Sequence, residues 1–429
     1  MSDSIERITM RRVSFRLLPL LFLVYAAAYL DRSNVGIAAL QMNGELGFGP
    51  ATFGFGAGIF FLGYAALEVP SNLILVHVGA RKWIARIAIT WGLVVCAMMW
   101  VRTPGQFYAA RFFLGVAEAG FFPGFIYYVS RWFPGRYRAR AVAAVTMAIP
   151  LSQVLGGALG GPLLGLRGVA GLSGWQWLFL IEGLPPIVLG VLVLRYLTEL
   201  PGDARWLAAE QRSWLRDHIE REQDGIAQGS TLQALGSPTV WALALPYFAL
   251  FAVGNIFVFW APLLVHGALG TSNMTTGFVV AAISLVALPV YPIAAHLSDR
   301  SDERCRIAAL GLALQCAGCL GLAVFPDSLL RVISLALLPI GTAIFLSSFW
   351  CLPPRFLKGA PAAAGIALIS SIGTSGGFFG PSIVGYLKQI TGTDSGAFVG
   401  LAALSFAGAS VCLAFRQSAV FRPVAALSN

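Results

Sequence analysis

Apolar runs long enough to cross a bilayer recur from one end of this chain to the other, and nothing else in it narrows the choice of fold so far. Twelve are counted, at roughly 15–40, 52–78, 83–101, 106–130, 139–165, 175–197, 239–264, 274–297, 306–325, 328–352, 361–387 and 396–415. Backbone polar groups in hydrocarbon must be satisfied within the segment, so such runs cross as helices. With 57% apolar and 11% charged residues, the 429-residue chain reads as an all-α membrane protein whose main surroundings are the lipid bilayer. The net charge of +10 raises the question of nucleic acid. The basic residues sit in the short gaps between apolar runs rather than on one soluble face, which excludes that class of partner. Of 29 Lys and Arg, 23 fall in alternate gaps together with both termini, and four in the others. That bias predicts cytoplasmic termini in a cell (inner) membrane.

The longest polar interval, 198–238, separates a six-helix half (1–197) from a second one (239–429). Within it Trp206, Leu207, Glu210, Trp214 and Leu215 predict an amphipathic helix on the inner membrane face, acting as a tether. The halves resemble each other. Gly156-Gly157-Ala158-Leu159-Gly160-Gly161-Pro162 in the fifth run is answered by Gly376-Gly377-Phe378-Phe379-Gly380-Pro381 in the eleventh. Each follows a basic loop, Trp132 to Arg136 and Pro353 to Lys358. Parallel six-helix repeats of this kind are a transporter architecture, with the substrate site at mid-membrane between the halves. A phosphate-binding loop, a metal-ligand cluster and a nucleophile–base pair are all missing from the sequence, so neither an enzyme nor an ATP-driven pump is expected, and no cofactor or metal. Cys316-x-x-Cys319 reads as two small packing residues on a membrane helix. Arg11, Arg12 and Arg16 before apolar Leu17 to Ala28 imitate a signal peptide, but the segment is read as a retained span.

Charges inside the spans point to the chemistry. Asp31, Glu68, Glu118 and Glu182, with Arg32 and Arg111, all fall in the first half. The second half offers Asn255, Ser284, Ser347, Ser348, Trp350, Ser370, Ser371 and Thr374 instead. An unpaired charge at the midplane costs at least ~2.5–3.5 kcal/mol, so helix 1 (Asp31, Arg32) and helix 4 (Arg111, Glu118) are expected to neutralise one another. Arg111 and Glu118 are two turns apart on one face, about 10 Å along the axis. A static ion-pair network satisfies the same charges. The functional reading gives the two guanidinium groups a carboxylate substrate and makes Asp31 and Glu118 proton carriers, because a carboxyl group changes its protonation as an arginine or water approaches and withdraws. Glu68 reads as structural or gating, and Glu182 as a structural hydrogen-bonding group.

Tyr29-x-Asp31-Arg32-x-Asn34, Arg111-Phe-Phe-Leu-Gly115-x-Ala117-Glu118-Ala119-Gly120-Phe-Phe-Pro123-Gly124, Trp350-x-Leu-Pro353-Pro354-x-Phe356-Leu357 and Gly365 to Ile369 are the most specific stretches. Through them the whole chain resembles the major facilitator superfamily, and within it the anion:cation symporter family. Val78 to Arg86 looks like the bacterial branch of tartrate, phthalate and hydroxyphenylacetate permeases. The resemblance implies proton-coupled import of an organic anion, with Asp31 and Glu118 as coupling acids. It places Arg32, Arg111, Tyr29 and Tyr64 at the anion, and Asn34, in the same stretch as Tyr29 and Arg32, is taken as a substrate-binding residue with them. Asn255, Ser347, Trp350, Ser370 and Thr374 match the polar residues of the opposite wall. Two stretches depart from the pattern. Val76-His77-Val78-Gly79 lacks the Asp usual in the loop after helix 2, while Leu297-Ser298-Asp299-Arg300 keeps it, which shifts inner gating toward Asp299 and Arg300. Ser370-Ser371-Ile372-Gly373-Thr374 carries hydroxyls where many members have amides, so no particular substrate carries over.

The expectation is therefore a monomeric secondary transporter, a proton/organic-carboxylate symporter of the major facilitator fold. Small hydroxy-dicarboxylates and aromatic carboxylates lead, and Tyr29, Tyr64 and Trp350 tilt the choice slightly to a bulky acid. A drug/proton antiporter of the same fold is a second reading, opposed by two arginines that repel a cation. A non-transporting receptor for a small anion is a third.

Overall fold

The computed structural model describes residues 2–223, 236–301, 303–326, 328–353 and 361–417. Pro354, Arg355, Phe356, Leu357 and Lys358 lie outside them, as does the side chain of Asp299.

Among the described residues, twelve helices are long and apolar enough to cross a membrane. In the first half they are α1 (Ser2–Leu46), α2 (Pro50–Val78), α3 (Ala80–Ala97), the pair α4 (Pro104–Glu118) and α5 (Phe121–Trp132), the pair α6 (Gly135–Thr146) and α7 (Ala148–Leu164), and α8 (Gly174–Tyr196). A surface helix α9 (Ala209–Gln223) follows. The second half holds α10 (Pro238–Leu269), the pair α11 (Asn273–Ala287) and α12 (Val290–Ser301), α13 (Arg304–Val324), α14 (Leu329–Phe349), α15 (Pro361–Thr391) and α16 (Ser395–Gln417). α1 runs unbroken through Ala26, Ala27 and Ala28. Caps follow the sequence: Thr103 accepts from Gln106 N, and Pro104 opens α4 where its missing N–H costs nothing.

Within the first half α3 packs on α8, α2 on α4, and α1 on α7 and α8; within the second α13 packs on α14 and α16, and α10 on α15. The halves meet through α2 with α15, α7 with α11, and α1 with α10. These contacts gather toward the end away from the N terminus. There a Cβ on Gly157 would stand 2.7 Å from the Gly277 carbonyl oxygen, and a Cβ on Gly385 would stand 3.0 Å from the Gly54 Cα. The backbones touch because glycine leaves them nothing else to touch with. The glycine run of the fifth span thus has a concrete use: it is the crossing point with the eighth.

The amphipathic face expected on the membrane is covered by protein instead. Leu207, Leu215 and Ile219 are buried against the first half, and the Trp206 ring stacks on Trp132 at 5.7 Å and 13°. Apolar surface between α1 and α5 was nearer to hand than lipid. The loop after α2, which lacks its Asp, is served from a distance: Glu199 accepts from the backbone N–H groups of Ala80 (2.7 Å) and Arg81 (3.0 Å) at the start of α3. A carboxylate there complements the positive helix terminus.

Candidate functional site

The fourth span is broken, and the break sets the site. α4 stops at Glu118; Ala119 is extended (ψ 134°) and Gly120 is left-handed (φ 81°). Ser71 donates its hydroxyl to the Ala119 carbonyl at 2.7 Å and accepts the Trp83 indole N–H at 2.9 Å. The freed carbonyl is thereby satisfied, as it must be at membrane depth. Glu118 ends up at the negative terminus of a half-helix, where an anion needs a cation beside it. Arg32 supplies one: its Nη2 bonds the Glu118 carboxylate, and Glu118 is 2% exposed against 15% for Arg32. The Arg32 guanidinium lies over Tyr29 (4.8 Å), Phe60 (5.3 Å) and Tyr64 (5.5 Å), leaving its Nε without a partner.

Asp31, next in sequence, turns away from this pair. Its Oδ2 accepts the Trp91 indole N–H at 2.8 Å, toward α3 and α8. Successive helical residues point about 100° apart, so the two members of the acid–arginine pair serve different neighbours. Arg111 is fully buried. It donates to the carbonyls of Gly56 (3.3 Å) and Ala57 (3.1 Å) and lies over Phe60 at 5.2 Å and over Phe259 of the second half at 5.6 Å. In this conformation it holds α2, α4 and α10 together. Asn34 is buried with its amide nitrogen unpartnered.

On the opposite wall Asn255 donates to Phe251 O, Ser347 to Ile344 O and Thr374 to Ser371 O, all within their own helices. Ser370 is half-buried. Trp350 stands edge-on to Tyr247 at 4.8 Å. Arg300 is exposed in the last turn of α12. Sequence reasoning passed over Tyr25, Tyr247 and Gln153. Tyr25 packs on Tyr29 at 5.2 Å, and Tyr247 lies within electrostatic reach of Tyr29 across the halves. Gln153 shares with Ser33 and Gly157 a narrow cavity of about 20 Å³ between the halves. An amide in an otherwise glycine-rich span was the available signal.

Twelve helices in two halves, with a buried ion pair beside their contact, form a transport fold. The chain belongs to the Major Facilitator Superfamily, whose family model matches residues 21–381. A protein of Agrobacterium vitis named "Putative tartrate transporter" is 44% identical over 98% of this chain and 97% of its own. The "Quinolone resistance transporter" of Acinetobacter baumannii is 40% identical over 90% of each. Among solved structures, a bacterial homolog of the human lysosomal transporter Spinster, in an inward-facing and occupied conformation, superposes with a TM-score of 0.75 at 17% identity, covering 95% of this chain and 98% of that one. The protein is a multi-pass membrane transporter.

Proposed function

We propose that the protein is a proton-coupled symporter that imports a small organic carboxylate, a hydroxy-dicarboxylate such as tartrate first among them, and that it sits with the anion:cation symporters. The observation that carries this reading is the Arg32–Glu118 pair. One guanidinium faces two claimants, the fixed carboxylate and an arriving one. When the substrate takes Arg32, Glu118 loses its counter-charge in a place that does not tolerate a bare anion, and a proton neutralises it. Substrate and proton then enter together, and charge is conserved: one anionic group in, one proton in. With the termini on the cytoplasmic side, the glycine crossings lie outside and the site opens inward. The 44% relative supports the substrate class. The aromatic residues lend less to a bulky acid, since Tyr29 and Tyr64 face Arg32 and Trp350 faces Tyr247.

The 40% relative favours a second reading, export in exchange for protons. One experiment separates them. Purified protein in proteoliposomes is given tartrate and a panel of carboxylates under an imposed pH gradient. Uptake that requires an acidic exterior supports symport. Uptake indifferent to the gradient overturns it, and substrate driven against the proton flow installs the exchanger.

A further inference from the structure

Glu182 on α8 was expected to make a structural hydrogen bond, and the Asn34 amide is the donor that approaches it. It is 4% exposed, and neither carboxyl oxygen completes a hydrogen bond. The Asn34 amide is close enough to interact with it, yet also completes no bond of its own. Asp31 is 2% exposed, near enough to Glu182 for their charges to interact, and its Oδ1 is likewise unpartnered. One junction brings the two acids together. Trp91 bonds Asp31, and the next residue, Gly92, has room for no Cβ because the Gly183 carbonyl would stand 2.7 Å from it. Glu182 precedes that glycine.

Among the described residues, no cation acts on the two carboxylates of this junction, the basic residues of α3 (Arg81, Lys82 and Arg86) lying toward its start. On α1 the guanidinium of Arg32 is committed to Glu118. α3 contributes the Trp91 indole and the Cys96 thiol, which points to the Leu180 carbonyl at 3.8 Å. The packed stretch of α7 (148–164) and residues 98–100 contain no ionisable residue. Glu118, the remaining charge within reach of Asp31, is another acid. Leaving a double negative charge buried costs far more than one neutralised site.

We infer that Asp31 and Glu182 form a second proton-binding site, separate from Arg32–Glu118, with the proton held on Glu182 and the charge on Asp31. The Trp91 donor decides the division, because it closes a hydrogen bond to Asp31 at 2.8 Å and stabilises a carboxylate there, while the Asn34 amide near Glu182 closes none. In transport this site supplies a second proton, which matches a substrate bearing two carboxylates; that role rests on the symport reading above, but the site itself does not.

The test is infrared spectroscopy of the purified full chain, titrated in H2O and D2O. A buried protonated carboxyl shows as a carbonyl band of a carboxylic acid that moves down in D2O. We expect this band at neutral pH in the wild type, lost in Glu182→Gln and retained in Glu118→Gln. In Asp31→Asn the band persists, but its titration midpoint moves to lower pH, because a neighbouring negative charge that held the proton on Glu182 is gone. A band that survives Glu182→Gln overturns the inference, and so does an unmoved midpoint in Asp31→Asn, which needs no Glu182 variant to fold. Adding Na+ in place of choline at fixed pH should leave the band intact; its loss would install a metal cation as the occupant instead. Failure of gradient-driven uptake with the band present condemns the symport reading alone.

Discussion

Arg32 bonds Glu118, eighty-six positions away, rather than Asp31 beside it. That choice splits the first-half charges into two groups with different surroundings, and most of what can be tested follows from the split.

Removing the counter-charge should separate binding from coupling. In Glu118→Gln, Arg32 remains available for an anion, so counterflow exchange should persist while accumulation driven by a pH gradient falls to what the Asp31–Glu182 proton alone can drive. Intact accumulation would move coupling elsewhere. Arg32→Ala should abolish anion binding altogether. Arg32→Lys keeps the charge but not the planar fork; affinity should fall by about tenfold or more, about 1.4 kcal/mol, as read by thermal shift against a carboxylate panel.

Arg111 should behave differently. It is fully buried and tied to α2 carbonyls. Arg111→Ala should lower the unfolding temperature in detergent, with about 2–5 kcal/mol lost to the cavity. Arg111→Met fills most of that volume. Carboxylate affinity retained in the Met variant would assign Arg111 to the scaffold; affinity lost with stability recovered would return it to the substrate.

Trp91→Phe deletes the indole donor to Asp31 while keeping an aromatic ring. The buried Oδ2 is then left without a partner, a loss of about 1–3 kcal/mol, visible in thermal unfolding. The same variant should move the midpoint of the carboxyl band, since the charge on Asp31 is no longer held by the indole.

Gly157→Ala places a methyl group 2.7 Å from the Gly277 carbonyl oxygen. Overpacking of this kind costs about 1–3 kcal/mol, so the population with the halves closed at this end should fall by about 5–150-fold. Spin labels at the far ends of α2 and α15 would report a longer distance. An unchanged distance distribution would mean that this crossing does not hold the closed state.

The twelve spans were legible because hydropathy and length are one-dimensional properties that survive in the sequence. The break after Glu118 was not. Residues 106–130 read as one helix, since Ala119 and Gly120 sit in an apolar run with no proline between them. Only the Ser71 hydroxyl and the Trp83 indole, brought from other helices, show where the carbonyl is satisfied. The sequence brought Asp31, Arg32, Arg111 and Glu118 into one neighbourhood by charge balance. It could not say which acid Arg32 would choose, because that depends on the rotation of α1 about its axis. Glu199, serving a helix start some 120 positions earlier, was invisible for the same reason.

The glycine crossings have a consequence for how the halves part. At Gly54–Gly385 and Gly157–Gly277 the surfaces in contact are helix backbones whose amides and carbonyls already bond along their own helices. Separating them strips away close-range dispersion and one long polar contact, the Ser382 hydroxyl to the Gly54 carbonyl at 3.5 Å, whose acceptor lies on the helix backbone. Such a seam adheres only at contact distance and keeps no long-range grip once opened. It behaves as a latch that releases cleanly, and the preference for one state over the other is left to whatever occupies the charges at mid-membrane.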